Sequence, residues 1–397
     1  MGGRARESSQ RTGPRGPASV ALGRTTVHVV LPDGIDDPAR PSGGNRYDRR
    51  LCGELTATGW DVRELVVPGS WPRPEARALS ELARTVGALP EGAVVLADGL
   101  IASAAGSVLV PESNRVRLVV LVHMPFGDVA VPARAEGAVL RHARAVVTTS
   151  SWTRDRLLDR YGLPPDRVRV ARPGADPGEL ARGTAGGGRL LCVGAVVPAK
   201  GHDLLLEALG GLADRPWTCT VLGSLDRDPG FVAGLRRRAA DLGVADRITF
   251  AGPLGGPAVT DGYRRADLLV HASRLESYGM VVTEALAFGL PVVATDVGGV
   301  PEALGRTAAG LPGLLVPPDD PAALGEALGA WLGDPGLRER LRRTARERRG
   351  SLAGWDATAR QVAVALAAVG GTAGGTAGDD VVDAVVDIRA ETVGSAP

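Results

Sequence analysis

"HASRLESYGMVVTEALAFGLPVVATDVGGVPEAL", His271–Leu304, reads in order as the end of an apolar strand, a polar loop, a helix, a Gly-Leu-Pro stop, a second apolar strand and a Gly-Gly turn. The helix is expected to start near Ser277 or Gly279 and to end at Phe288, with Gly289 as a left-handed cap and Pro291 barring continuation. Its opening amides, around Gly279, Met280 and Val281, have no partner within the helix. Together with the positive end of the helix dipole they make an anion site, and Gly279 lets an anion approach the backbone closely. A diphosphate suits such a site.

Two carboxylates flank it. Glu284 follows Met280 by one helical turn, about 6 Å further along the axis, which is the offset from a phosphate to a ribose. A carboxylate there accepts from both hydroxyls of a ribose diol, while Glu276, in the loop before the helix, meets whatever hangs from the distal phosphate. Two carboxylates would repel a bare anion. The ligand they imply carries hydroxyls on both sides of its phosphates, as a nucleotide sugar does.

Outward from this segment the chain alternates short β-branched runs with longer helix-like stretches. "VHVVLP", "DVRELVV", "AVVLAD", "RLVVLVH", "AVVTTS" and "VRVARP" precede a Gly-rich joint, "RGTAGGGR" (Arg182–Arg189). "LLCVGAV", "TCTVLGS", "RITFAG", "DLLVHAS", "PVVATD" and "GLLVPP" follow it. This is the signature of βαβ units in an α/β protein with two doubly wound parallel sheets, whose ligands bind beyond the carboxyl ends of the strands. The expected division is a disordered leader (1–24), an N-terminal Rossmann-like domain (25–180), a linker (181–189), a C-terminal Rossmann-like domain (190–350), a terminal helix (351–369) and a flexible tail (370–397). The cleft between the halves is the expected site.

Composition narrows the partners. A net charge of +1 over 397 residues argues against nucleic acid. Cys192 and Cys219 lie in apolar runs and read as core thiols of a reducing, cytoplasmic protein. The least polar stretch, Ala93–Val110, is broken by Asp98, Gly99 and Gly106, so no transmembrane segment is expected. In "LRERLRRTARERRG" the arginines are interspersed with Glu339 and Glu347, which predicts a solvated helix face rather than a membrane patch. "DRD", Asp226–Asp228, reads as a polar loop; no metal site is expected, and no G-x-G-x-x-G or P-loop pattern is present.

One residue stands out from the rest. Lys200, in "VPAKGHDLLLEAL" (Val197–Leu209), is the only lysine among 46 basic residues. Where a chain otherwise writes arginine, a lysine points to a compact ammonium in a confined place.

The segment His271–Leu304 closely resembles the donor-binding signature of the retaining glycosyltransferases of the fourth sequence family, whose GT-B fold sets two Rossmann-like domains face to face. The likeness rests on Glu276, seven intervening residues and Glu284, with the flanking Ser-Tyr-Gly and "PVVATDVGGVPE". It extends to "CVGAVVPAKGHDLLLEAL", "RITFAGPL" and "GLLVPPDDPAAL", and more loosely to "PSGGNRYDRRLCGELTATGWDV", "LVHMP" and "TTSSWTRDRLL". The resemblance implies an N-terminal acceptor domain and a C-terminal nucleotide-sugar donor domain, with transfer of a hexose at retained anomeric configuration, no metal, and no cofactor beyond the nucleoside diphosphate sugar as co-substrate.

Residue by residue, Lys200 matches the family lysine on the diphosphate, Glu284 the ribose ligand and Glu276 the carboxylate beside the transferred sugar. Gly43 and Gly44 match the glycine pair facing the phosphate or acceptor, and His123 the histidine near the reacting centre. Ser277, Gly279, Met280 and Val281 complete the donor site. Asn45, Tyr47 and Phe126 suggest a polar acceptor mouth, from "GGNRYDRR" and "HMPFGD". The chain departs from the pattern at Ala195, where the family usually has arginine; Arg274 or Arg172 could replace it, or both could be ordinary salt-bridge arginines. Two other readings stay open: a nucleotide-sugar epimerase or hydrolase on the same fold, and a degenerate binding protein without catalysis.

Overall fold

A computed structural model of the chain describes residues 25–39, 41–126 and 133–370. The leader expected over residues 1–24 and the tail beyond residue 370 lie outside the described residues. Every one of the β-branched runs forms a strand. The first sheet holds β1 (Thr26–Pro32), β2 (Asp61–Val67), β3 (Val94–Asp98), β4 (Arg117–Val122), β5 (Ala145–Thr148) and β6 (Val168–Val170) in the order β2-β1-β3-β4-β5-β6. The second holds β7 (Arg189–Val193), β8 (Thr218–Leu222), β9 (Ile248–Gly252), β10 (Leu268–His271), β11 (Val292–Thr295) and β12 (Gly313–Val316) in the order β12-β11-β10-β7-β8-β9.

All neighbouring strands pair in parallel. Val94–Asp98 is buried at every position, as are Ala145–Thr148 and Val292–Thr295. Helices therefore cover both faces, which is why these strands read as unbroken apolar runs. The order reverses between β1 and β3 in one sheet and between β10 and β7 in the other. A crevice opens at such reversals, beyond the strands' carboxyl ends, and ligands of doubly wound sheets bind there.

The terminal helix, Trp355–Gly370, belongs to the first domain by packing. Trp355, Ala359, Val362, Ala365 and Leu366 are buried in one cluster with Val27, Leu31, Tyr47 and Leu51. The chain thus crosses between domains twice, and the two crossings lie side by side. Ala175 N donates to Ala353 O at 2.9 Å, and a Cβ on Gly174 would meet Trp355 N at 2.3 Å. Only glycine lets the backbones approach that closely.

The Arg-rich helix, Pro335–Arg349, carries the solvated face expected from its charge pattern, with Glu339, Arg340, Arg343, Arg346 and Glu347 exposed, but part of its arginines turn inward. Arg338 is buried and donates to the carbonyls of Trp331 and Leu332, Arg342 to that of Thr184, Arg348 to Leu304 and Arg349 to Ala287 and Gly178. A guanidinium has five donors and no acceptor, so it serves carbonyls left over at helix ends and loops. Arg338, Arg342, Arg348 and Arg349 thereby staple the domain. Asp228 of "DRD" accepts from Phe231 N and caps the helix Pro229–Asp241. No described helix is long and apolar enough to cross a membrane.

Candidate functional site in the interdomain cleft

The helix expected after "RLESYG" runs Met280–Ala287. Gly279 precedes it at φ +95°, no side chain caps it, and Gly289 follows at φ +65°. Gly43 opens the helix Gly43–Ala57, and a Cβ there would lie 3.5 Å from Met280 Sδ. Gly43 of one domain therefore lies against the first residue of the uncapped helix of the other, while Gly44 lies against His123. Met280 packs against the cores of both domains and Val281 against that of the second.

Lys200 sits in a tight turn, Pro198–Lys200, just after β7, and Glu276 in the loop after β10. These are the two strands flanking the reversal of the second sheet. Lys200 Nζ lies 2.5 Å from Glu276 Oε2, and His271 Nε2, buried at the end of β10, lies 3.3 Å from the same oxygen. Burial alone would raise the Glu276 carboxyl, but the Lys200 ammonium and then His271 outweigh it and hold it well below the usual carboxylate range. The loop is fixed from behind by "DVGG". A Cβ on Gly298, at φ +54°, would sit 1.8 Å from Glu276 O, and one on Gly299 would sit 2.2 Å from Ser277 O.

Glu284 lies one turn into the helix with both oxygens engaged. Tyr263 OH donates to Oε2 at 2.7 Å, and the Arg46 guanidinium reaches Oε1 from across the cleft. Burial raises the Glu284 carboxyl above its usual value despite Arg46 and Tyr263. Arg46 also donates to Asp176 at 2.9 Å. Further cross-cleft bonds close the remaining edge: Ser150 Oγ donates to Ser277 O at 2.6 Å, and Ser151 N to Glu302 Oε2 at 2.8 Å.

On the opposite wall His123 follows β4. Its Nε2–H donates to Asp48 Oδ1 at 2.8 Å, its ring meets Tyr47 edge-on at 5.1 Å, and a Cβ on Gly44 would lie 3.1 Å from its Cδ2. Burial lowers the His123 imidazole, but the adjoining Asp48 carboxylate and Asp98 raise it more, to about 9.

Two expectations for the acceptor side are corrected. Tyr47 is fully buried, donates to Ala171 O at 2.9 Å and meets Trp355 edge-on, so it is a core residue rather than part of a polar mouth. Phe126 is buried too, its backbone N–H donating to Glu136 Oε1 at 2.9 Å. Asn45 is partly exposed next to the glycine pair, its Nδ2 donating to Gly34 O at 3.3 Å. At Ala195 neither suggested replacement supplies a free cation: Arg274 pairs with Asp203 and Asp319, and Arg172 with Glu302.

Sequence reasoning missed Arg46, Asp48, Asp98, Tyr263 and His271. Asp98 and His271 carried a legible signal, since each ends an apolar strand at its carboxyl end, as the rule that singled out His123 requires. Arg46, Asp48 and Tyr263 lie on helices far along the chain from their partners, and only the packing of the domains brings them in.

Known proteins share this architecture. The family model for glycosyl transferases group 1 matches residues 185–348, and that for glycosyltransferase family 4 matches residues 91–179. A D-inositol 3-phosphate glycosyltransferase of Acidothermus cellulolyticus is 38% identical over 55% of this chain and 53% of its own length. D-inositol 3-phosphate glycosyltransferase 1 of Catenulispora acidiphila is 33% identical over 68% of this chain and 69% of its own. The chain thus aligns with about half to two thirds of the length of these relatives. The structure of Anabaena Alr3699/HepE in complex with UDP and glucose superposes with a TM-score of 0.70, at 17% identity, over 86% of this chain and 99% of that one, and shares the two-domain GT-B fold. The chain belongs to the group 1 glycosyltransferases.

Proposed function

We propose that this chain transfers a sugar from a nucleoside diphosphate donor to a hydroxyl of a small acceptor, with retention at the anomeric carbon and without a metal. One observation carries the reading: an uncapped helix N-terminus at Gly279–Met280 stands between two carboxylates, Glu276 and Glu284, with Lys200 beside the first and Gly43 opposite. Lys200 and the free amides would take the charge that develops on the departing diphosphate, as preorganised donors do in a site shielded from water. Glu276 would accept from a hydroxyl of the transferred sugar. Glu284 would accept from the ribose once Arg46 moves aside, with Tyr263 holding its other oxygen. His123 stands on the acceptor wall beside the glycine pair. Met280 and Val281, through their amides, complete the donor cradle with Ser277 in the loop before them.

Retention rests on the family's pattern, and the acceptor on the names of the curated relatives, which make D-inositol 3-phosphate the first acceptor to assay. The cytoplasm is the compartment we propose, supported by free, buried thiols at Cys52, Cys192 and Cys219. Product analysis tests the whole reading. A panel of nucleoside diphosphate sugars labelled at the anomeric carbon is incubated with D-inositol 3-phosphate. Transfer gives a labelled, phosphate-bearing glycoside of unchanged configuration. Release of free sugar alone, isomerised donor, or no consumption of any donor would reject it.

A further inference from the structure

Behind His123 lies a cluster that the donor reading does not use. Asp48, on the helix Gly43–Ala57, and Asp98, at the carboxyl end of β3, are 1% and 4% exposed. One oxygen of each and a ring nitrogen of His123 lie within 4.8 Å of one another. Asp98 Oδ1 accepts from Leu100 N at 2.7 Å and so caps the short helix Gly99–Ala102. Asp48 Oδ1 accepts from His123 Nε2–H, whereas Asp48 Oδ2 is buried and has no hydrogen-bond partner.

Two buried carboxylates this close cannot both stay charged against a single imidazolium, because the cluster would keep a net negative charge out of reach of water. A proton on Asp98 removes that charge and gives Asp48 Oδ2 the donor it lacks. We propose that Asp48 and Asp98 share one proton and act as positioning residues that keep His123 a doubly protonated imidazolium, its Nδ1–H turned to the cleft. The ring's Nε2 edge is closed by Asp48 and its Cδ2 edge by Gly44, so the Nδ1 edge carries the 16% exposure of the side chain. Among the described residues, Asp48 from its helix and Asp98 from β3 are the charged groups acting on the imidazole, and Tyr47 packs on it as a neutral ring. Burial and the Asp48 charge both push the Asp98 carboxyl upward, in keeping with this arrangement.

A charged Nδ1–H on the acceptor wall is a donor for an oxygen of the transferred sugar or of the diphosphate, so the catalytic meaning of the cluster rests on the transferase reading. The protonation state does not, and it can be measured without substrate. The full chain with isotope-labelled histidine contains five imidazoles, and His123→Gln identifies the signal of interest. In the unchanged protein His123 stays doubly protonated through pH 8. Asp48→Asn lowers its titration midpoint by roughly two pH units, the loss expected when a buried cation loses its adjacent anion. Asp98→Asn leaves the midpoint high, because an amide N–H donates to Asp48 Oδ2 as the carboxylic acid does.

A neutral His123 at pH 7 in the unchanged protein would overturn the proposal, whatever the variants do. So would a fall in Asp98→Asn equal to that in Asp48→Asn, which would mean two ionised carboxylates. Stoichiometric bound divalent metal, lost in Asp48→Asn, would replace the shared proton with an ion. If Asp48→Asn does not fold, the unchanged protein and Asp98→Asn still decide. Once a donor is in hand, Asp48→Asn should lower kcat with donor KM retained and move the alkaline limb of the kcat profile to lower pH; an unmoved limb would contradict the positioning role.

Discussion

Lys200 and Glu276 meet as an ion pair 2.5 Å apart, each at the carboxyl end of one of the two strands, β7 and β10, between which the second sheet reverses direction. The pair occupies a confined place. Gly201, directly after the lysine, is at φ +65°, and a Cβ there would lie 1.9 Å from Ala272 O. Lys200→Ala should cost roughly 2 kcal/mol in kcat/KM, the low end of the range for removing one partner of a hydrogen-bonded charge pair, since this one is only partly buried. Lys200→Arg should be poor as well, because a wide planar guanidinium replaces a compact ammonium. Wild-type efficiency in Lys200→Arg would show that the lone lysine has no special role.

The Gly298 turn tests whether the Glu276 loop must be held in place. Gly298→Ala puts a Cβ 1.8 Å from Glu276 O at a φ of +54°. It should lower stability by more than ~1 kcal/mol and weaken donor binding. Gly162→Ala is the comparison: that glycine also has a left-handed φ, +61°, but nothing lies within 4 Å of its Cβ position. It should cost about 1 kcal/mol at most and leave donor affinity unchanged. Melting curves and donor Kd for both variants decide. Equal donor affinities would separate the turn from the site.

Arg46 competes for the oxygen a ribose would need. Its side chain is 40% exposed, so the pair with Glu284 is partly screened by solvent. Arg46→Ala should tighten nucleoside diphosphate binding two- to five-fold, roughly 0.5 to 1 kcal/mol for a partly exposed pair. Calorimetry reads this directly. Weaker binding in Arg46→Ala would mean that the arginine touches the donor and takes the place left by Ala195.

Stability should fall on the alkaline side. His123 is raised from 6.5 to about 9, so the folded chain holds that proton more tightly than the unfolded chain does. The stability this contributes is fully present below pH 6.5 and is lost as pH rises through 9, by roughly 3 kcal/mol in all. The raised Asp98 carboxyl acts in the same direction at lower pH. Denaturant unfolding from pH 6.5 to 9.5 should show the decline in the unchanged protein and a flatter profile in Asp48→Asn. Parallel profiles would assign the decline to other groups.

The fold was legible because its signal is local. A buried parallel strand must be apolar at successive positions, as Val94–Asp98 and Val292–Thr295 nearly are, while the edge strands Asp61–Val67 and Ile248–Gly252 are partly exposed and were marked by their β-branched residues. The Gly279 start and Gly289 stop of the donor helix were legible for the same reason, since glycine marks a left-handed φ at a known place. Side-chain exposure was less so. Tyr47 sits among polar residues in "GGNRYDRR", yet the terminal helix returns from the far end of the chain and buries it under Trp355. The inward turn of Arg342, Arg348 and Arg349 was not legible because their carbonyl partners, on Thr184, Leu304 and Ala287, belong to other segments. Asp48 and Asp98 were passed over because an acidic residue in isolation reads as surface; their meaning comes from being together and dry.

Glu284 and Lys200 are expected to hold opposite ends of one nucleoside diphosphate. Calorimetric titration of UDP, GDP, ADP and TDP into the unchanged protein, Glu284→Gln and Lys200→Ala measures that directly. At least one nucleotide should bind, and each substitution should weaken it by roughly 1 to 3 kcal/mol, the range for hydrogen bonds to charged groups. Binding of none, or the same Kd in all three proteins, would contradict the central claim.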